Sequence, residues 1–137
     1  MMTNTVSLGL AKELWELGLK IETEKCYYDV LLQDKKRKLF LCSGNKLEEC
    51  PNDFISFKAY HAPSTDELLA VLPYKINKID YLIIRKAFVG YYVQYWDYES
   101  KEMFIKIKDE ILPEALGSMC KYLLEQGHVL KDGILTK

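Results

Sequence analysis

Val89-Gly90-Tyr91-Tyr92-Val93-Gln94-Tyr95-Trp96-Asp97-Tyr98 is the stretch on which the fold turns. Aromatic and β-branched side chains crowd it, which suits a pleated, half-buried strand. Upstream, Tyr81-Leu82-Ile83-Ile84-Arg85-Lys86-Ala87-Phe88 is apolar early and charged late. Downstream, Glu99-Ser100-Lys101 turns the chain. Met103-Phe104-Ile105-Lys106-Ile107-Lys108 then alternates, which predicts Met103, Ile105 and Ile107 inward and Lys106 and Lys108 outward. Residues 81–107 therefore read as β.

Rings stand at both odd and even positions of the strand 89–98, so both faces carry them and only one meets the core. Turn parity decides which. A three-residue loop, Glu99 to Lys101, pairs Trp96 with Phe104, Gln94 with Lys106 and Tyr92 with Lys108. An even loop instead pairs Tyr95 with Lys106 and Val93 with Lys108, and buries Trp96 beside Ile105. The sequence leaves both registers open. On the first, Tyr92, Gln94, Trp96, Phe104, Lys106 and Lys108 form an exposed aromatic and lysine surface. That surface is the candidate interaction site, able to anchor a protein partner or a second copy, or to stack on single-stranded bases.

Three helices frame the β segments. Leu10, Leu14 and Leu17 recur at i, i+4 and i+7, with Ala11 and Trp15 widening the stripe, and predict a helix over 8–17 closed by Gly18. Pro63-Ser64-Thr65-Asp66-Glu67-Leu68-Leu69-Ala70-Val71-Leu72-Pro73 has both ends written in. Ser64 and Glu67 form a capping box, and Pro73 disfavours helical geometry at Leu72. The predicted helix covers 65–72, with Leu68, Leu69 and Leu72 on its buried side. Pro113 suits a helix start and Gly127 a stop, so 113–126 is the third helix, its stripe made by Leu112, Ala115, Leu116, Met119 and Leu123.

Between the first two helices lie more strands. Cys26, Tyr28, Val30 and Leu32 share one face, and Leu39-Phe40-Leu41-Cys42 resumes the pattern after the polar run 33–38. This is a hairpin with a basic tip. A loop from Ser43 through Asp53 leads to a third strand, 54–60, with Ile55, Phe57 and Ala59 as its apolar face. The tail 128–137 adds a short strand or covers an edge. The order helix, strands, helix, strands, helix, without regular crossovers, predicts one α+β domain over 1–137. Its antiparallel or mixed sheet carries the helices mainly on one face.

The 137 residues carry 19 Lys and Arg against 20 Asp and Glu, a net charge of -1. That balance argues against a dedicated duplex-DNA or polybasic membrane binder. Hydrophobic residues at 49% and charged residues at 28% are ordinary globular proportions. No window approaches the ~20 apolar residues that span a bilayer, so no membrane partner is expected. The first residues show no basic, apolar and small-residue leader pattern, which points to the cytoplasm.

Cys26, Cys42, Cys50 and Cys120 include no Cys-x-x-Cys pair. Cys26, Cys42 and Cys120 sit within apolar patterns and read as small buried hydrophobes. A metal set of Cys42, Cys50 and His61 follows no established ligand spacing, so no metal is expected. His61 reads as a locally bonded loop residue, and His128 as a favourable neighbour of a helix C-terminus. No nucleophile elbow, metal-binding helix or phosphate loop occurs, and no cofactor or enzymatic activity is expected.

One resemblance spans nearly the whole chain. Leu10-Ala11-Lys12-Glu13-Leu14 with Leu17-Gly18, the capped segment Ala62 to Pro73, and Pro113-Glu114-Ala115-Leu116 through Gly127 resemble small hypothetical proteins of bacteriophages and prophages, including those of gut bacteria. The resemblance implies a bacterial host cytoplasm and an accessory role. It brings no catalytic residue, and it does not extend to 35–53.

Overall fold

The computed structural model describes residues 4–43 and 54–137. The expected loop through Cys50 and Asp53 lies outside the described residues; Ser43 itself ends a strand. The α+β class holds, with all strand pairs antiparallel. The elements run α1 (Leu8–Glu16), β1 (Lys25–Leu32), β2 (Arg37–Ser43), β3 (Phe54–Ala62), α2 (Thr65–Val71), β4 (Lys75–Ile76), β5 (Asp80–Lys86), β6 (Tyr91–Asp97), β7 (Glu102–Asp109), α3 (Leu112–Glu125), β8 (Val129–Lys131) and β9 (Ile134–Thr136).

The strands do not join one layer. They form a three-stranded sheet in the order β2-β1-β3, a four-stranded meander β4-β5-β6-β7, and the hairpin β8-β9. The division falls at α2, whose capping box is formed in full. Ser64 N donates to Glu67 Oε1 at 2.8 Å and Glu67 N donates to Ser64 Oγ at 3.3 Å. The second Glu67 oxygen accepts from Glu24 N at 2.8 Å, which ties the helix start to the approach of β1.

One large core lies between the helices and the four-stranded sheet. α3 brings Ala115, Leu116, Met119, Cys120 and Leu123 against Val93 and Tyr95 of β6, with Ile105 and Ile107 of β7 at the margin. α1 and α2 pack on α3, so the helices stand together on one side of that sheet. Leu10, Ala11 and Leu14 are the buried part of α1, while Leu17 is exposed. In α2 the inward set is Leu68, Val71 and Leu72; Leu69 faces water, because the helix turns Val71 to the core instead. α1 and α3 approach closely at Gly117, where an added Cβ would lie 2.7 Å from Leu10 Cδ2 and 2.8 Å from Val6 Cγ1. The tail closes the core with Leu135, fully buried from β9.

The three-stranded sheet has its own small cluster. Cys26, Tyr28, Val30 and Cys42 are buried on one face, with Leu32, Phe40 and Phe54 partly so. The hairpin is as expected, and its tip pairs Leu31 with Arg37. The apolar face of β3 is not buried: Ile55, Phe57 and Ala59 are all exposed. A register shift between Leu31 and Leu32 breaks the pairing regularity just there. β3 meets the helical layer at its other end. Trp15 of α1 stacks on His61 with ring centroids 5.1 Å apart, and Lys12 Nζ lies 4.9 Å from the Tyr60 ring centre. Tyr27 of β1 reaches the main core and donates its hydroxyl hydrogen to Val6 O at 2.6 Å.

Candidate interaction face

The geometry of the β6–β7 hairpin settles which aromatics point outward. Its loop is even: Asp97 pairs with Glu102 and Trp96 with Met103, leaving four residues, 98–101, in the turn. Asp97 holds that turn. Its carboxylate accepts from Ser100 Oγ at 2.7 Å and from Glu99 N at 3.0 Å, and both bonds lower its pKa, the hydroxyl more. Lys101 sits at φ 57°, the left-handed corner that closes the turn.

An even loop by itself puts Trp96 inward. A β-bulge reverses this. The register shifts between Tyr95 and Trp96, so that Phe104 is passed over and Tyr95 pairs with Ile105. Beyond the bulge, Gln94 pairs with Lys106 and Tyr92 with Lys108, the pairings of the odd-loop register. Val93 and Tyr95 therefore face α3, and Tyr92, Gln94 and Trp96 face away from it. Tyr95 is fully buried, donates to Pro73 O at 2.7 Å, and has its phenol pKa raised by burial.

Two sequence expectations change. Phe104 does not join the outward face. It is the bulged residue and lies edge-on to Tyr122 of α3, ring centroids 6.5 Å apart, while remaining 48% exposed. Met103, expected inward, takes the place opposite Trp96 and is exposed. The other five predicted residues, Tyr92, Gln94, Trp96, Lys106 and Lys108, share one face.

β5 and β4 enlarge that face. Tyr81, Ile83 and Arg85 pair with Trp96, Gln94 and Tyr92, and Lys75 pairs with Tyr81. The result is three rows. The first holds Lys75, Tyr81, Trp96 and Met103. Ile83, Gln94 and Lys106 make the second, and Arg85, Tyr92 and Lys108 the third. Lys106 and Lys108 place their Nζ atoms 4.5 and 5.6 Å from the Tyr92 ring centre, and Lys75 Nζ lies 5.5 Å from that of Tyr81. These are cation–π distances. Gln94, only 3% exposed, lies at the centre under the longer side chains.

The face carries four cations, and no carboxylate shares a paired position on it. Acid appears only at its rim. A cavity of about 220 Å³ at the hairpin end is lined by Lys78, Ile79, Tyr81, Asp97, Tyr98 and Glu99, with Tyr81 and Tyr98 in ring contact at 5.9 Å. At the opposite end the β5–β6 turn, residues 87–90, projects Phe88 fully into solvent. The sequence reading placed Ala87, Phe88, Val89 and Gly90 in strands. Gly90 instead takes φ 85°, and a Cβ there would lie 2.3 Å from Asp109 O, so the chain turns where only glycine fits.

Sequence reasoning missed Lys75, Tyr81, Arg85 and Phe88. The signal was present in part: Tyr81, Ile83 and Arg85 alternate, and a four-residue turn ending at Gly90 brings them opposite Trp96, Gln94 and Tyr92. The other candidates fall elsewhere. His61 is a strand residue paired with Cys26, its Nδ1 3.0 Å from Thr23 Oγ1. Of the Cys42, Cys50 and His61 set, Cys50 lies outside the described residues. No group of three or more His, Cys, Asp and Glu among the described residues is placed to hold a metal ion. No described helix is long and apolar enough to cross a membrane. No protein family, curated protein or solved structure matches this chain.

Proposed function

We propose that the chain is a non-enzymatic binding module that takes single-stranded nucleic acid on the helix-free face of β4–β7. Its setting is that of a bacteriophage or prophage accessory protein in the bacterial cytoplasm, as the sequence resemblance implies. The observation that carries the reading is the face itself: three rings and four cations interleaved, without a paired carboxylate. Rings give sequence-tolerant stacking platforms, and cations track a phosphate backbone. The rows are graded, with Tyr81 and Trp96 toward one end and Arg85, Lys106 and Lys108 toward the other. A strand lying across them meets stacking partners first and phosphate partners next.

The test uses Trp15→Phe protein, in which Trp96 is the one indole, titrated with oligothymidylate at several salt concentrations. Quenching that weakens with salt is expected. Lys106→Ala with Lys108→Ala is expected to reduce the logarithmic salt slope by about 1.4, at about 0.7 for each phosphate no longer neutralised. Absence of quenching at low salt overturns the reading.

A second reading rests on a separate detail. Lys106 and Lys108 already lie over the Tyr92 ring, so the outermost layer there is ammonium. An acidic protein surface fits that layer. Quenching by polyglutamate, and none by oligothymidylate, selects this reading over the first.

A further inference from the structure

Where the tail returns to the helical layer it encloses a second cavity, of about 230 Å³. Polar residues from three segments line it: His128 just after α3, Thr136 and Lys137 at the end of β9, and Lys75 and Asn77 at β4. None of the described residues lining it has an acidic side chain. Asp80 is not among them; it accepts from Asn77 Nδ2 at 3.2 Å and leaves the second hydrogen of that amide over. Lys75 has its ammonium over the Tyr81 ring, which leaves Lys137 as the cation for this space.

His128 is the unusual member. It is 7% exposed, and its Nδ1 has no hydrogen-bond partner among the described residues. A buried polar atom left unpaired costs free energy, and such atoms are rare. The last carbonyls of α3 are spent on their own turn: Leu123 O accepts from His128 N at 2.9 Å and Leu124 O from Gly127 N at 3.1 Å. Lys137 folds back beside the ring. Its Cε lies 4.0 Å from where a Cβ on Gly127 would stand, and its charge opposes protonation of His128. An imidazole, an ammonium, an amide and a hydroxyl therefore border one space with no acidic side chain to answer them.

We infer that this cavity binds a small oxyanion of the phosphate monoester class, held by His128, Lys137, Thr136 and Asn77. The site is separate from the face of β4–β7 and does not rest on the nucleic-acid reading. Donors from three segments surround a tetrahedral anion better than a flat one. Lysine meets phosphate as a point charge, and no arginine lines the cavity to offer a carboxylate the planar fork that suits it. A bound anion also joins the β8–β9 tail to the start of β4, two segments some fifty residues apart in the chain. The same monoester chemistry has two sources, a free small molecule or the terminal phosphate of a nucleic-acid strand.

Titration of the full chain with inorganic phosphate tests this, at fixed pH and with ionic strength held by sodium chloride. Wild type is expected to show a saturable shift of the His128 ring proton resonances, with those of His61 unmoved. Its melting temperature is expected to rise, because the ligand binds the folded state. Lys137→Gln alters an exposed side chain. It is expected to weaken phosphate binding about tenfold, the size of one lost charge-assisted hydrogen bond, and to melt as wild type does without phosphate. His128→Leu is expected to abolish the phosphate-dependent rise in melting temperature; should that variant fail to fold, Lys137→Gln decides alone. Oligothymidylate with and without a 5′-phosphate then separates the sources. A His128 shift with the phosphorylated strand only assigns the site to a strand end, and a shift with neither assigns it to a free monoester. No saturable shift with inorganic phosphate, an equal shift with acetate or with both strands, or unchanged affinity in Lys137→Gln overturns the inference.

Discussion

The two larger sheets of this molecule are built from similar residues and stabilised differently. The four-stranded sheet spends one face on a core of three helices and keeps the other face helix-free, with a layer of rings and cations. The three-stranded sheet has a small cluster of its own, Cys26, Tyr28, Val30 and Cys42, and leaves Leu39, Leu41, Ile55 and Phe57 exposed. Its links to the rest include Trp15 on His61, Lys12 over Tyr60 and the Tyr27 hydroxyl on Val6 O. An apolar pattern therefore does not mark the inside of a sheet; the presence of a covering element does.

Substitutions in each half sharpen this contrast. Leu116→Ala removes a fully buried side chain at the centre of the helical layer. A loss of about 2–5 kcal/mol is expected in denaturant unfolding. Val30→Ala empties part of the smaller cluster, and a loss of about 1–3 kcal/mol is expected, from ~0.8 kcal/mol per buried CH₂ plus the cavity. Amide exchange then distinguishes the halves. Leu116→Ala is expected to raise exchange in both sheets, and Val30→Ala mainly in β1–β3. Equal loosening of both sheets by Val30→Ala breaks the contrast and makes the chain one cooperative unit.

The smallest effect concerns acid. His128 is buried where α3 hands over to β8, its Nδ1 has no hydrogen-bond partner among the described residues, and burial lowers its pKa below the ordinary 6.5. A lowered imidazole pKa means that the folded state binds the proton less readily than the unfolded one. Its contribution is therefore full above pH 6.5 and lost as pH falls through the lowered value. The melting temperature is expected to drop over that interval and to drop less in His128→Gln, with exchange rising first in β8–β9. An identical profile in His128→Gln removes this role.

What was legible in the sequence was local. Ser64, Glu67 and Pro73 wrote the limits of α2 because a capping box and a proline act within four residues of themselves. Cys26, Tyr28 and Val30 alternated because pleating has period two. The division into separate sheets was not legible, since which strand joins which is decided by packing between distant segments. Leu69 and Val71 exchanged roles for the same reason: α2 is rotated by its neighbours, not by its own sequence. Five of the six residues expected on one exposed face share a side of the sheet, but Gln94 among them is buried under its neighbours. Phe104 does not share it, because a bulge near Tyr122 of α3 intervenes, and nothing in 99–108 states what α3 will offer.

That bulge has a consequence for comparing lengths. Phe104 is the one residue of β7 that the β6 register skips, so removing it leaves Trp96 opposite Met103 and Tyr95 opposite Ile105. Removing a residue from the turn at 98–101 instead turns one strand over against the other. In an alignment with a homologous chain, a single gap at 104 is silent, whereas the same gap a few positions earlier exchanges the inside of the hairpin for its outside.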